Sequence, residues 1–221
     1  MNKDIKNMKH KKVAIFDFDG VVMDTETVYT EFWDVKGEEL LDRKDFGSEV
    51  KGQSLNLIYD TYFPDRKDLQ KQLDKEVVDM DSNMDYQYIP GAKECMKALR
   101  EAGVVIGVVT GSCNRKMSYV DEQHPDFKDL ADVIITSDHV THAKPHPEGF
   151  LLAMEKLDAK PEQVVVFEDS IYGLEAAREA GATVVGLVTT NELELVKPLS
   201  DYVIKDFIDI DYKAFCEFFA K

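Results

Sequence analysis

Asp17 and Asp19 stand two residues apart in Ala14-Ile15-Phe16-Asp17-Phe18-Asp19-Gly20, directly behind a short apolar run. Side chains of an extended chain alternate faces, so both carboxylates leave such a strand on the same side, and Gly20 permits a tight backbone turn beside them. Clustered carboxylates repel unless a cation or proton intervenes. The pair therefore suits metal-assisted phosphoryl transfer, although a D-x-D alone is equally well explained as a strand end followed by an acidic turn. Three further groups lie downstream. Thr110-Gly111-Ser112 offers hydroxyls and backbone N–H groups to phosphate oxygens. Lys144, in Ala143-Lys144-Pro145-His146-Pro147, could neutralise a phosphate and a nearby carboxylate together. Glu168 and Asp169, followed by Ser170 and Gly173, supply the hard oxygen ligands that Mg²⁺ favours. Each has an ordinary local explanation too: a turn and helix N-cap, a loop lysine, acids that stabilise a helix dipole.

The elements that must position these groups are read from hydrophobic patterning. Each group ends or closely follows an apolar, β-rich run, at 13–16, 104–109, 132–135 and 164–167, and further runs lie at 183–188 and 202–204. Helical patterns at 91–102, 147–157 and 170–180 alternate with them, which predicts a parallel sheet with helices on both faces. In open sheets of that kind ligands sit beyond the carboxyl ends of the strands. Four chemically complementary groups then converge on one edge, which four independent turns would not explain.

Residues 27–88 break this rhythm, with helical candidates at 28–41, 54–62 and 69–80 and no convincing buried strand. That is too much chain for a simple crossover. It predicts a small helical cap domain over 27–88, on connectors near 24–27 and 87–91, with Pro90-Gly91 marking the return. The core domain would comprise 12–26 and 89–221, and the lysine-rich 1–11 a disordered leader.

The net charge of −16 disfavours non-specific binding to nucleic acid or an anionic membrane surface. Cys95, Cys113 and Cys216 lack zinc-ligand spacing and suit reduced cytosolic thiols. No signal-peptide stretch or membrane-length apolar run occurs, so a cytoplasmic protein without nucleic-acid or membrane partners is expected. His139, His142 and His146 lack helical i, i+4 spacing and read as solvated loop histidines.

The segments D-F-D-G-V-V-M-D-T-E, V-V-T-G-S, K-P-H-P and F-E-D-S-x-x-G match, in order, the four motifs of the haloacid dehalogenase (HAD) superfamily. The insert after the first motif resembles that of the β-phosphoglucomutase-like branch, and the match runs from about Lys12 onward. The resemblance implies an α/β fold: a doubly wound, mostly parallel Rossmann-like sheet with a small α-helical cap inserted after strand 1. It implies a monomeric Mg²⁺-dependent phosphatase that hydrolyses a small soluble phosphate compound, such as a sugar phosphate, through an aspartyl phosphate.

In that scheme Asp17 is the nucleophile and Asp19 the general acid and base, protonated part of the time. Thr110, Gly111, Ser112 and Lys144 would hold the phosphoryl oxygens. Asp17, the Asp19 backbone carbonyl and Asp169 would hold Mg²⁺, with Glu168 acting directly or through water. Family dehalogenases lack an acid where Asp19 stands, so its presence favours phosphate esters. Val50-Lys51-Gly52-Gln53-Ser54 resembles the branch's cap loop, making Lys51, Gly52, Gln53 and Ser54 substrate-contact candidates, against an ordinary helix start. Two positions depart from β-phosphoglucomutase: Tyr29 replaces a histidine, and Leu55 a phosphate-gripping arginine. A phosphomutase is the alternative reading, and a non-catalytic phospho-accepting or ligand-binding module the third.

Overall fold

The computed structural model describes residues 11–220, so most of the expected leader lies outside the described residues. Val13–Phe16 forms strand β1 and is buried along its whole length. It lies at the centre of a six-stranded parallel sheet whose other strands are Val105–Val109 (β2), Val133–Ile135 (β3), Val164–Glu168 (β4), Thr183–Leu187 (β5) and Tyr202–Ile204 (β6). The order is β3-β2-β1-β4-β5-β6, and every pairing is parallel. This is the doubly wound order in which the direction of winding reverses beside β1.

Alternation along β1 builds two cores. Ala14 and Phe16 face one layer with Cys95, Met96 and Leu99 from the helix Ala92–Glu101. Val13 and Ile15 face the other, with Phe150, Ala153 and Met154 from Glu148–Lys156 and Leu174 and Ala177 from Ile171–Glu179. Phe16 stacks on Phe167 of β4 at 4.7 Å between ring centroids. At about 0.8 kcal/mol per buried methylene, such two-sided burial fixes the strand's register firmly.

Register carries function here. Val13 pairs with both Val105 and Val164, and Phe16 with both Val108 and Phe167. The next residues, Asp17, Val109 and Glu168, therefore leave the sheet at one level, with Thr110 and Asp169 one step beyond.

Between β1 and β2 the chain runs through helices α1 (Glu26–Leu41), α2 (Phe46–Val50), α3 (Leu55–Tyr62) and α4 (Lys67–Asn83) before α5 (Ala92–Glu101). Trp33, Phe46, Val50, Ile58, Tyr59, Phe63 and Leu73 form an apolar cluster of their own within α1–α4 and the turns joining them. The segments entering and leaving this insert lie side by side: Asp24 N donates to Gln87 O at 2.8 Å and Ile89 N to Val22 O at 2.9 Å.

Helix α6 (Asn114–Gln123), after β2, escapes the sequence reading. Its apolar face is thin, because only Met117 and Val120 are buried there among apolar residues, and the remaining buried position is Lys116. Helices α7 (Glu148–Lys156) and α8 (Ile171–Glu179) come next, then the short α9 (Leu193–Val196) and α10 (Tyr212–Glu217). Among the described residues no helix is long and apolar enough to cross a membrane.

Candidate active site

Strand ends and the insert together enclose a cavity of about 590 Å³. Asp17, Asp19, Thr110, Gly111, Ser112, Lys144 and Asp169 all line it, so residues far apart in sequence share one wall. That size suits a small organic ligand.

The Asp17 side is a carboxylate cluster bridged by a lysine. Lys144 Nζ donates to Asp17 Oδ1 and to Glu168 Oε1, both at 2.5 Å. The other Glu168 oxygen accepts from the Ser170 backbone N–H at 2.7 Å and its hydroxyl at 3.0 Å. Ser170 in turn caps α8, accepting from Gly173 N at 3.1 Å. Gly173 is a spatial necessity, since a Cβ there would fall 1.7 Å from Glu168 Oε1. The F-E-D-S-x-x-G spacing thus locks Glu168 against the first turn of a helix.

Asp169 is the exception, because it is 1% exposed and neither carboxylate oxygen has a hydrogen-bond partner among the described residues. Burial pushes the Asp169 carboxyl well above the ordinary carboxylate range, and the charges of Glu168 and Asp17 push it further. Asp17 is raised in the same way by burial, against the opposing pull of Lys144 and with added repulsion from Glu168 and Asp19. Burial works against the charge of Lys144, yet Asp17 and Glu168 carry it above the usual lysine range.

The Asp19 side is built oppositely. Its Oδ1 accepts from Thr25 Oγ1 at 2.6 Å and from Lys116 Nζ; its Oδ2 accepts from Ser112 Oγ at 2.7 Å and, more distantly, Thr110 Oγ1 at 3.4 Å. Burial disfavours the Asp19 charge, but the Lys116 ammonium and the hydrogen bonds from Lys116, Thr25 and Ser112 outweigh it and lower the carboxyl below the ordinary range. In this arrangement Lys116 favours the charged, base form of Asp19. Glu26 also lines the cavity, with its carboxyl pushed up to about 7 by burial and then by Asp19.

Lys116 and Glu26 were not singled out from sequence. Glu26 closes the D-T-E of the first motif, and Lys116 lies in the first turn of α6, the helix that patterning missed. The available signal for Lys116 was the need of a carboxylate buried beside another for donors of its own.

The loop of the insert divides. Lys51 Nζ donates to the Thr190 carbonyl at 2.9 Å, reaching across to the turn after β5. Gly52 has φ 73°, the left-handed region that glycine adopts without steric cost. A Cβ there would approach Ser170 Cβ to 2.8 Å, so the loop rests directly on the β4–α8 turn. Gln53 and Ser54 line the cavity but spend their side chains locally: Gln53 Nε2 donates to Glu49 O, and Ser54 Oγ caps α3 by accepting from Leu57 N at 3.3 Å. For Ser54 the ordinary helix start is what the geometry provides.

Two clusters bring metal-binding atom types together among the described residues: Asp17, Glu168 and Asp169, with one oxygen from each lying within 4.8 Å of the others, and His142, His146 and Glu148 on the surface. In the second, Glu148 already accepts from the Thr141 and His142 backbone N–H groups and pairs with His142 Nδ1 at 2.8 Å. In the first, the free oxygens of Asp169 and the hard, anionic donor set fit a divalent cation such as Mg²⁺. The Asp19 side chain stands apart from this cluster, occupied by its own donors.

Comparison with known proteins agrees with this geometry. A family model described as haloacid dehalogenase-like hydrolase matches residues 14–187. The chain is 31% identical over 180 residues to a phosphorylated carbohydrates phosphatase of Thermotoga maritima, covering 77% of this chain and 82% of that protein. It is 36% identical over 124 residues to validoxylamine A 7'-phosphate phosphatase of Streptomyces hygroscopicus subsp. limoneus, spanning 55% of this chain and 56% of that one. In fold it resembles a HAD hydrolase of family IA, variant 3, from Entamoeba histolytica, with TM-score 0.81 at 19% identity over 95% of this chain and 100% of the other. A β-phosphoglucomutase from Clostridium difficile gives TM-score 0.78 at 21% identity, over 95% and 97%. With the family model spanning most of the sheet and all four motif segments, the chain belongs to the haloacid dehalogenase-like hydrolase family.

Proposed function

We propose that this protein is a Mg²⁺-dependent phosphatase acting on a small phosphorylated compound, of the sugar-phosphate or polyol-phosphate kind, through an aspartyl phosphate. The chain is a phosphoric monoester hydrolase of its family, and the phosphatase names of its relatives support that class. The observation that carries the finer reading is the Asp17–Glu168–Asp169 cluster, with Lys144 bridging two members and Asp169 left unpartnered among the described residues.

In this reading Asp17 and Asp169 would hold the cation with the Asp19 backbone carbonyl, while Glu168 would orient the site from behind. A bound divalent cation offsets the crowded negative charge and draws charge from the phosphoryl oxygens. Lys144 and the hydroxyls of Thr110 and Ser112 bind those oxygens, the N–H of Gly111 helping. An Asp17 oxygen attacks phosphorus, the ester P–O bond breaks, and the departing oxygen takes a proton from Asp19, which must have taken one up from solvent before this step because Lys116 favours its charged form. Water then attacks the aspartyl phosphate, giving its proton to Asp19, and inorganic phosphate leaves as Asp17 is regenerated. The insert acts as a cap domain over 27–88, placing Lys51 and Gly52 against the core and Tyr29 and Trp33 beside the leaving group.

Hydrolysis is favoured over phosphomutase chemistry by Leu55, which stands where the mutase carries an arginine for a second phosphate. The test is phosphate release across sugar phosphates, glycerol phosphate, phosphoglycolate, nucleotides and pyrophosphate, with Mg²⁺ or EDTA. Release that requires Mg²⁺ and vanishes in Asp17→Asn is expected. Release unaffected by either change sinks the mechanism, and turnover dependent on an added bisphosphate sinks hydrolysis in favour of a mutase.

A further inference from the structure

Lys116 is the least expected charge in the molecule. Its side chain is 2% exposed, although a buried ammonium is costly unless paired. It also lies in the first turn of α6, after the N-cap Cys113, where the helix dipole disfavours a cation. Two unfavourable terms at one residue call for a specific compensating partner. Asp19 supplies it through a close ion pair.

The ammonium is also fixed from behind. It sits over the Tyr29 ring at 4.3 Å from the centroid, and the Tyr29 hydroxyl donates to Asp81 Oδ1 at 2.5 Å. Asp81 is itself 2% exposed and tied into α4, and its backbone carbonyl accepts from Tyr86 Oη at 2.9 Å. The chain Asp19–Lys116–Tyr29–Asp81 therefore joins the active-site carboxylate to two helices of the insert. Tyr29 therefore has two uses here: a face for the ammonium and a hydroxyl for Asp81.

We propose that Lys116 is a positioning residue for Asp19: backed by Tyr29 and Asp81, it fixes Oδ1 together with Thr25, so that Oδ2, on the Ser112 and Thr110 hydroxyls beside the phosphate position, is the oxygen held toward the scissile ester. This rests on the acid and base role assigned to Asp19 above. A carboxylate released from Lys116 would keep only the Thr25, Ser112 and Thr110 hydroxyls and lose its fixed aim at the leaving oxygen, and the loss should grow with the need of that oxygen for a proton. An alkyl phosphate needs one; p-nitrophenyl phosphate, with a stable phenolate, hardly does.

The experiment compares kcat/KM for the best alkyl phosphate of the panel with that for p-nitrophenyl phosphate in wild type, Lys116→Met, Asp19→Asn and the double variant. In Lys116→Met we expect a loss of about 10²-fold on the alkyl ester and under about tenfold on the aryl ester, within the range for positioned acid–base groups. The double variant should be no worse than Asp19→Asn alone, since the two act as a unit. Equal losses on both esters, a rise confined to KM, or additive losses in the double variant overturn the proposal. If Lys116→Met does not fold, Tyr29→Leu decides: a smaller loss with the same alkyl bias supports it, and an unbiased loss overturns it. Absence of phosphate release by wild type would fail the phosphatase reading instead, leaving the two failures distinct.

Discussion

Asp17 and Asp19 belong to one short segment, yet the two sides of the cavity treat them oppositely. Around Asp17 the fold gathers two more buried acids and shares Lys144 between Asp17 and Glu168, so burial and repulsion raise the carboxyls of Asp17 and Asp169. Around Asp19 it gathers donors, Lys116, Thr25, Ser112 and Thr110, and its carboxyl is lowered. One side is short of positive charge and suits a cation. The other is complete in itself. Environment, more than residue type, separates two chemically identical groups into different roles.

Four substitutions probe that contrast. The largest effect belongs to Asp17→Asn, expected on the proposed covalent mechanism to lower phosphate release by about 10⁴-fold or more, measured by steady-state assay. Next comes Lys144→Met, which strands Asp17 and Glu168 without their shared cation. Loss of one partner from a buried pair costs about 3–5 kcal/mol. Chemical denaturation in EDTA should show that loss, and Mg²⁺ should recover part of it.

Asp169→Asn should do the reverse, stabilising the metal-free protein by about 1 kcal/mol at neutral pH while removing the Mg²⁺ response, as substitutions of strained functional groups commonly do. Its pH dependence comes from the raised carboxyl. A folded carboxyl that binds its proton more tightly than the unfolded one, near 3.9, makes the folded state lose stability as pH rises through that window. In EDTA, the melting temperature of wild type relative to Asp169→Asn should therefore fall as pH rises above the ordinary carboxyl value of about 3.9, and the difference should close when Mg²⁺ is added. The smallest effect is Ser54→Ala, which removes the α3 cap for about 1 kcal/mol. Thermal melting should register it while kcat/KM stays within about twofold, since a cap contributes nothing in the transition state. A large loss of kcat/KM would return Ser54 to the substrate contacts.

Much of the strand-end half of the site was legible in advance for a physical reason. Uninterrupted apolar runs such as 13–16 and 164–167 have few alternatives to a doubly buried strand, and residues directly behind them must lie at the sheet edge. Glu168 and Asp169 could not be told apart that way, since only the Ser170 and Gly173 contacts show one carboxylate satisfied and its neighbour bare. Lys116 was hidden because α6 has too thin an apolar face to announce itself, and its value depends on a partner 97 residues earlier. Ser54 read equally as ligand and cap until the Leu57 N–H was seen to occupy it.

Residue order was enough to dictate the alternation of strands and helices, the long helical break between β1 and β2, and the succession in which acids, hydroxyls and lysine reach the sheet edge. Those are local properties, written in periodicity and in the residues that terminate each apolar run. Folding had to settle which charges face one another: Lys144 between Asp17 and Glu168, Lys116 against Asp19, and Asp169 buried without a hydrogen-bond partner among the described residues. Charge pairing falls off over a few ångströms in space and is indifferent to distance along the chain, so only the folded arrangement can fix it.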